Sequence, residues 1–554
     1  MAGLAAPVFL SCLRKKRCYF FAIAISANFC RYNREKFPSA YKHIGPERLR
    51  EIPRGGEVSF GWSRHTYMNY TLVTFVVLYL LGTLALGAWA GTRIKSTSDF
   101  AVAGRSLPLI MVVTTTFATW FGAETVMGIP AKFVQGGLHD IIEDPFGAGT
   151  CLILVGMFFA TKLYKQNLLT IGDFYRNRYG KGIEVFCSVA IIMSYLGWVA
   201  AQITALGLVF SVLTNGAMSE TTGMIVGTLA VLIYVVIGGF LAVAWTDFIQ
   251  MIVLVIGLSI IAFFSADLAG GSDQVFSMAA QADLWKFLPP PTFTDIAFFI
   301  GAGLTMMLGS IPQQDVFQRV MSAKDAPTAR TGAIVGGASY ILFAFVPMFI
   351  VASAVVVMGE GALELAKNDY QRLLPTFIMT KMPLVMQILF FGALVSAIKS
   401  TSSATLLAPS TSFVENILKN LRPGMSDRQQ LFAMRCSIVV FAALVLAYAI
   451  AMNGTSIYEL VSSAYQVTLV GAFVPLVMGL YWRRATTQGA IVSLAAGIGT
   501  WILFFPQITT LGEQFPGQLA GLIAAFAGMI IGSVAPQVLK NRHEPRHSNS
   551  GASA

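Results

Sequence analysis

Apolar stretches of roughly 18 to 30 residues recur along the chain from Tyr70 onward, each long enough to cross the ~30 Å hydrocarbon layer of a bilayer as a helix. They fall near 70–91, 107–130, 145–163, 184–212, 222–240, 248–268, 294–312, 332–358, 384–408, 432–452, 457–481, 488–505 and 517–536, about thirteen in all. In lipid a segment must satisfy its own amides, and a helix does so within itself. The pattern therefore predicts an all-α polytopic membrane protein. Composition agrees: 55% of the 554 residues are hydrophobic and 12% charged, with a mean hydropathy of +0.68 that an ordinary water-soluble domain does not reach.

Lys and Arg collect in short cytoplasmic loops, and here they crowd alternate connections: Arg93, Lys95 and Arg105; Lys162, Lys165, Arg176, Arg178 and Lys181; Arg319, Lys324 and Arg330; Lys419, Arg422 and Arg428; Arg483 and Arg484. The intervening loops are acidic or neutral, as at His139, Asp140, Glu143 and Asp144. This places the N-terminus of the first helix outside and the tail with Lys540, Arg542 and Arg546 in the cytoplasm, in a multi-pass protein of the plasma (inner) membrane. Residues 1–67 do not fit. They hold 12 Lys/Arg against 4 Asp/Glu, +8 of the net +11, and a basic extension resists translocation. Either translation starts at Met68, or the extension is disordered, or it is a cleaved signal with Arg14-Lys15-Lys16-Arg17 ahead of the apolar run Cys18 to Ala27. The membrane domain is then 68–540, followed by a polar cytoplasmic tail at 541–554.

Several functions are disfavoured. Cysteines at 12, 18, 30, 151, 187 and 436 lack the paired spacing of zinc or redox sites and are expected to be small buried residues. All five histidines lie outside the strongly apolar runs, against a histidine metal cluster or relay within the membrane. No phosphate-binding G-x-x-x-x-G-K-[ST] loop occurs, since Gly180-Lys181 lacks both the upstream glycine and the hydroxyl residue. Nothing points to nucleic acid once the charge is divided by region, nor to a cofactor, an enzyme or an obligate protein partner.

Glycine, proline and polar residues interrupting a membrane helix mark places where backbone groups leave the helix to bind something. The second stretch contains Ala118-Thr-Trp-Phe-Gly-Ala-Glu-Thr-Val-Met-Gly-Ile-Pro130, and the ninth contains Ser396-Ala-Ile-Lys-Ser-Thr-Ser-Ser-Ala-Thr405. In the ninth, Ala397, Ser400 and Thr401 lie at i, i+3 and i+4, so one helix face offers two hydroxyls and a carbonyl. Hard cations favour such oxygens. If Ala118 and Phe121 also free their carbonyls in a broken second helix, five neutral oxygens could surround one ion. The plainer account of any single hydroxyl is a bond to its own i−4 carbonyl or close helix packing.

Taken with "GGFLAVAWTDFIQ" from Gly238, "GSIPQQDVFQRVMSAKD" from Gly309 and "SAIKSTSSATLLAPSTSFVENI" from Ser396, these motifs resemble the sodium:solute symporter family over roughly 68–540. The resemblance implies a LeuT-like pair of inverted five-helix repeats, spans two to six and seven to eleven. It implies sodium at Ala118, Phe121 and Ala397 through carbonyls and at Ser400 and Thr401 through hydroxyls. A small organic solute would lie beside the breaks of spans two and seven, near Trp120, Glu124, Thr125, Ser310 and Gln313, with Trp198 and Gln202 of span four facing them. The choline-type branch is similar at Trp120 and Trp198, whose faces would suit a quaternary ammonium. That branch has a tryptophan where this chain has Gln313, and the proline branch an aspartate where it has Trp120.

Lys399 is the departure of most consequence, because a lysine near the bilayer centre costs about 2.5–3.5 kcal/mol on insertion scales and needs a partner, water or a role. On a helix it points roughly 200° from Ala397 and 100° from Ser400, off the ion face. It is expected to pair with Glu124 or Asp315. In the alternative its ammonium stands in for a cation, making the carrier proton-driven or ion-independent. Asp247 is expected to cap the sixth helix, and Arg319 either pairs with Asp315 across an inner gate or anchors the cytoplasmic end. A solute sensor is the rival reading from another class, separated from a carrier by saturable flux. An ion channel is weaker, with no repeated filter segment.

Overall fold

The computed structural model describes residues 70–92, 96–505 and 508–539, and these are helical throughout, with no strand. The expected extension at 1–67 and tail at 541–554 lie outside them, as do Cys12, Cys18, Cys30, Arg93 and Lys95. The principal helices are α1 (Tyr70–Gly91), α2 (Leu109–Trp120), α3 (Ile129–Gly136), α4 (Lys181–Leu213), α5 (Glu220–Leu268), α6 (Phe293–Gly309), α7 (Gln314–Ser322), α8 (Ala326–Met358), α9 (Leu384–Ser412), α10 (Asp427–Ala451), α11 (Ile457–Thr468), α12 (Thr487–Leu503) and α13 (Gly517–Val534).

Nine helices among the described residues are long and apolar enough to span a bilayer, or eleven when each of two bent pairs is taken as one span. The expected thirteen is reached only by dividing α5 and by admitting the 17-residue α12. Division of α5 has a physical basis. Its 49 residues would run about 74 Å if straight, more than twice the hydrocarbon thickness. Gly239 breaks it, with φ of +52° and ψ of −159°, a conformation closed to residues with a Cβ. The Tyr234 and Thr246 hydroxyls, twelve residues apart, then meet at 2.5 Å, where a straight helix would hold them about 18 Å apart. The chain turns back on itself at Gly239.

The two bent pairs occur where the repeats would begin: α2 meets the segment Glu124–Gly136 at 56°, and α6 meets α7 at 46°. In the first, Phe121 leaves helical geometry at φ −83°, ψ 71°. In the second, Gln313 is extended at φ −68°, ψ 140°, just after Pro312, which has no amide to donate. A short parallel bridge pairs Leu107 with Ala323, so the connections ahead of α2 and after α7 are tied together.

Burial separates lining from core. The best apolar window of α4 is 83% buried, against 24% for α1 and 33% for α10 and α13. The outer helices turn large apolar side chains such as Phe75, Phe263, Val440 and Ile531 outward, as lipid requires and water would not permit. Cys151 and Cys187 are buried as expected, but Cys436 is exposed on α10.

Candidate functional site

The breaks gather polar side chains inside an apolar shell. Where α2 ends, the Gly122 amide donates to the Trp120 carbonyl at 3.0 Å, so the Ala118 carbonyl loses its i+4 partner. The Thr401 hydroxyl of α9 lies 3.5 Å from that carbonyl. Ala118, Phe121, Ala397, Ser400 and Thr401 are all buried, and α9 runs unbroken past them. Thr401 and Ala118 are thus brought together. Ser400 instead donates to the Asp247 carboxylate, whose other oxygen accepts from Thr115 of α2 at 2.6 Å. Among the described residues no group of three or more His, Cys, Asp or Glu is placed to hold a metal ion.

Gly122 is what permits the approach. A Cβ there would stand 2.6 Å from Thr401 Oγ1 and 2.8 Å from Gln202 Oε1. Gln202 Oε1 accepts the Ala123 amide at 2.9 Å, satisfying a donor the broken helix would otherwise leave bare.

Trp120 packs against Trp198 at 5.6 Å, Tyr465 at 6.0 Å and Tyr340 at 6.4 Å between ring centres. Thr125 reaches the Trp120 carbonyl at 3.1 Å and the Tyr340 hydroxyl at 2.9 Å. From the second break, Gln313 donates to Ser194 at 2.8 Å, and the Thr468 hydroxyl donates to the Gly309 carbonyl at 2.7 Å. Several buried atoms around this centre have no partner: Trp120 Nε1, Gln202 Nε2, Ser310 Oγ, Gln313 Oε1 and the Tyr465 hydroxyl. Bare buried polar atoms are costly, and a polar ligand with donors and acceptors would satisfy these. Tyr465, Tyr340 and Thr468 were not singled out from sequence. Their only signal was an aromatic or hydroxyl within an apolar run.

Three expectations about the charged residues are corrected. Lys399 pairs with neither Glu124 nor Asp315: it is 2% exposed, its Nζ lies 4.0 Å from the centre of the Tyr234 ring without a hydrogen bond, and Asp247 is the carboxylate whose charge reaches it. Asp247 does not cap a helix, because α5 is already helical from Phe240 and Asp247 is fully buried within it. Arg319 is no exposed anchor, being 2% exposed, and it meets Asp315 through the backbone: its guanidinium donates to the Asp315 carbonyl at 2.8 Å and to Thr119 of α2 at 2.5 Å, over the face of Phe240. The Asp315 carboxylate accepts instead from the Tyr195 hydroxyl. Glu124 faces Asp144, not Lys399.

The profile of the sodium:solute symporter family matches residues 100–497. The high-affinity choline transporter 1 of Drosophila melanogaster is 28% identical over 436 residues, covering 76% of this chain and 69% of its own length. The sodium/pantothenate symporter of Haemophilus influenzae is 25% identical, covering 84% of this chain and 97% of its own length. Among solved structures, a Na+-coupled sialic acid symporter in a substrate-bound outward-open state aligns with a TM-score of 0.74 at 21% identity, over 86% of this chain and 100% of that one, a likeness of fold.

Proposed function

Because this chain belongs to the sodium:solute symporter family, we propose that it carries a small polar organic solute into the cell together with sodium, by alternating access. The observation that carries the reading is the Thr401 hydroxyl set against the Ala118 carbonyl, which joins an unbroken helix to a broken one by neutral oxygens. Ala118, Phe121, Ala397, Ser400 and Thr401 hold the ion. Trp120, Glu124, Thr125, Trp198, Gln202, Ser310 and Gln313 hold the solute, and Tyr340 and Tyr465 complete the aromatic walls. The unpartnered donors and acceptors favour a solute that offers both kinds of group.

The first helix starts outside and the C-terminus lies in the cytoplasm of a plasma-membrane protein, as the basic loops suggest. Ion binding stabilises the outward-open form, and the repeats rock about the fixed centre. Each positive charge entering down 100 mV releases about 2.3 kcal/mol, enough for about fifty-fold accumulation of a neutral solute. Lys399, Asp315 and Arg319 hold the inner side closed around Asp247. Uptake of a panel of radiolabelled solutes into vesicles carrying the purified protein, with and without a sodium gradient, tests this. Saturable uptake that collapses without sodium is expected, and solute binding without flux would replace the carrier by a sensor.

A second reading rests on Lys399, whose unpartnered ammonium beside Asp247 supplies a positive charge next to the ion face. If that charge replaces a coupling cation, the wild type transports without sodium and Lys399→Met acquires a sodium requirement. Sodium dependence present in both proteins removes it.

A further inference from the structure

Beyond the broken end of α2, away from Asp247, three carboxyl groups are enclosed together. Glu124 is 4% exposed, Glu143 5% and Asp144 1%. Asp144 accepts from the Tyr340 hydroxyl at 2.6 Å, and the same hydroxyl meets Thr125, the residue next to Glu124, at 2.9 Å. Glu143 accepts from Ser462 at 2.6 Å, and the Glu124 and Asp144 side chains act directly on one another. The remaining oxygens Glu124 Oε1 and Glu143 Oε1 are buried and bare. Tyr458, a side chain 94% buried, meets the Asp144 backbone and lies within electrostatic reach of all three carboxyl groups.

Positive charge is scarce there. Lys132 acts on Glu143, yet its ammonium lies 3.9 Å from Asp140. Tyr340, Tyr458 and Tyr465 are the other titratable groups facing the cluster, from α8 and α11, and none is a cation. Like charges enclosed together in a low-dielectric interior do not both ionise, and a proton held by the pair relieves the repulsion. A metal ion is the poorer occupant, because these groups are not placed as metal ligands.

We infer that Glu124 and Asp144 hold one exchangeable proton between them, forming a cation site distinct from the neutral-oxygen cradle at Thr401 and Ala118. Its state is felt at the aromatic centre. Tyr340 donates to Asp144 and meets Thr125, and its ring packs on Trp120 and Phe121. Loss of the proton puts a second negative charge against the Tyr340 hydroxyl and so against the wall of the solute site. The proton enters from one aqueous side and leaves as H+, with no other bond made or broken.

The test needs no solute and no flux, so its outcome is separate from that of the transport reading. Infrared difference spectra of the full-length protein in lipid nanodiscs between pH 5 and pH 9, in potassium chloride, are compared in H2O and D2O. The wild type should show a protonated carboxyl C=O band that shifts in D2O. Glu124→Gln and Asp144→Asn, both isosteric, should each lose it, while Lys399→Met keeps it, and a potentiometric titration should count one fewer proton in each amide variant. A band surviving in both amide variants overturns the proposal. So does a band abolished by sodium chloride at constant pH, which would make the occupant a metal ion.

Discussion

Gly122→Ala is the substitution that most directly loads the proposed ion cradle. The new methyl group would lie 2.6 Å from Thr401 Oγ1, 3.0 Å from Thr401 Cβ and 2.8 Å from Gln202 Oε1, against an ordinary contact of about 3.4 Å or more. Thr401 is held on a continuous buried helix and Gln202 on the most buried one, so relief comes from turning the two side chains. That withdraws the Thr401 hydroxyl from the Ala118 carbonyl and Gln202 from the Ala123 amide. Overpacking of this kind costs about 1–3 kcal/mol. If that cost falls on the ion-binding arrangement, half-maximal sodium rises by about 5- to 150-fold. The assay is sodium titration of uptake in vesicles, using the solute that the panel identifies. Half-maximal sodium within twofold of wild type for Gly122→Ala would refute the geometry on which the cradle rests.

Thr401→Val keeps shape and removes the hydroxyl, and should raise half-maximal sodium by about tenfold or more, the scale of a lost ligand to a cation, while Thr401→Ser stays near wild type. Tyr465→Phe deletes an unpartnered hydroxyl at the aromatic centre, so it should weaken apparent solute affinity by up to about tenfold and leave sodium titration and thermal unfolding unchanged. At the start of α8, Asp325 accepts the Thr328 amide at 2.8 Å, and this bond with the Thr328 hydroxyl holds its carboxyl below the usual 3.8. A depressed acid stabilises the fold above its unfolded pKa and loses that contribution as pH falls through the folded one, so Asp325→Asn should flatten the pH dependence of the unfolding midpoint below about pH 4 and not above it.

Helix positions were legible because a bilayer demands about twenty apolar residues in a row, and the break at Phe121 was legible because Gly122, Gly128 and Pro130 interrupt such a row. The division of α5 was legible as the gap between stretches 222–240 and 248–268, but its form was not. A single residue at positive φ, Gly239, folds the chain back without any polar loop, so Asp247 reads as a helix start although it is a carboxylate buried within the helix. Its real signal was an acid inside an apolar run, which is expensive unless used. Glu143 and Asp144 were misplaced for a related reason: counted as charges of an outer loop, they are enclosed on Glu124 through contacts to Tyr340 and Ser462, 196 and 319 residues away in sequence. Charge counting assigns sides, but it cannot see which loop folds inward. Lys399 failed the same way, its neighbour Asp247 being reachable only through the tertiary crossing of α5 and α9.

The segment from Thr115 to Thr125 is gripped at both ends by ionic networks. Before the break, Thr115 holds Asp247 and Thr119 holds Arg319; after it, Thr125 holds Tyr340, which holds Asp144. Between them lie Ala118, Trp120 and Phe121, the residues on which the ion and solute would bear. A segment fixed from two sides cannot shift toward one network without straining its bonds to the other. Any ligand that changes the preferred position of Ala118 or Trp120 therefore changes the free energy of both networks, and by reciprocity each network's state changes that ligand's affinity. The break in α2 supplies the free carbonyl and the bend, and its threonines make the bend answerable to charges on both sides of it.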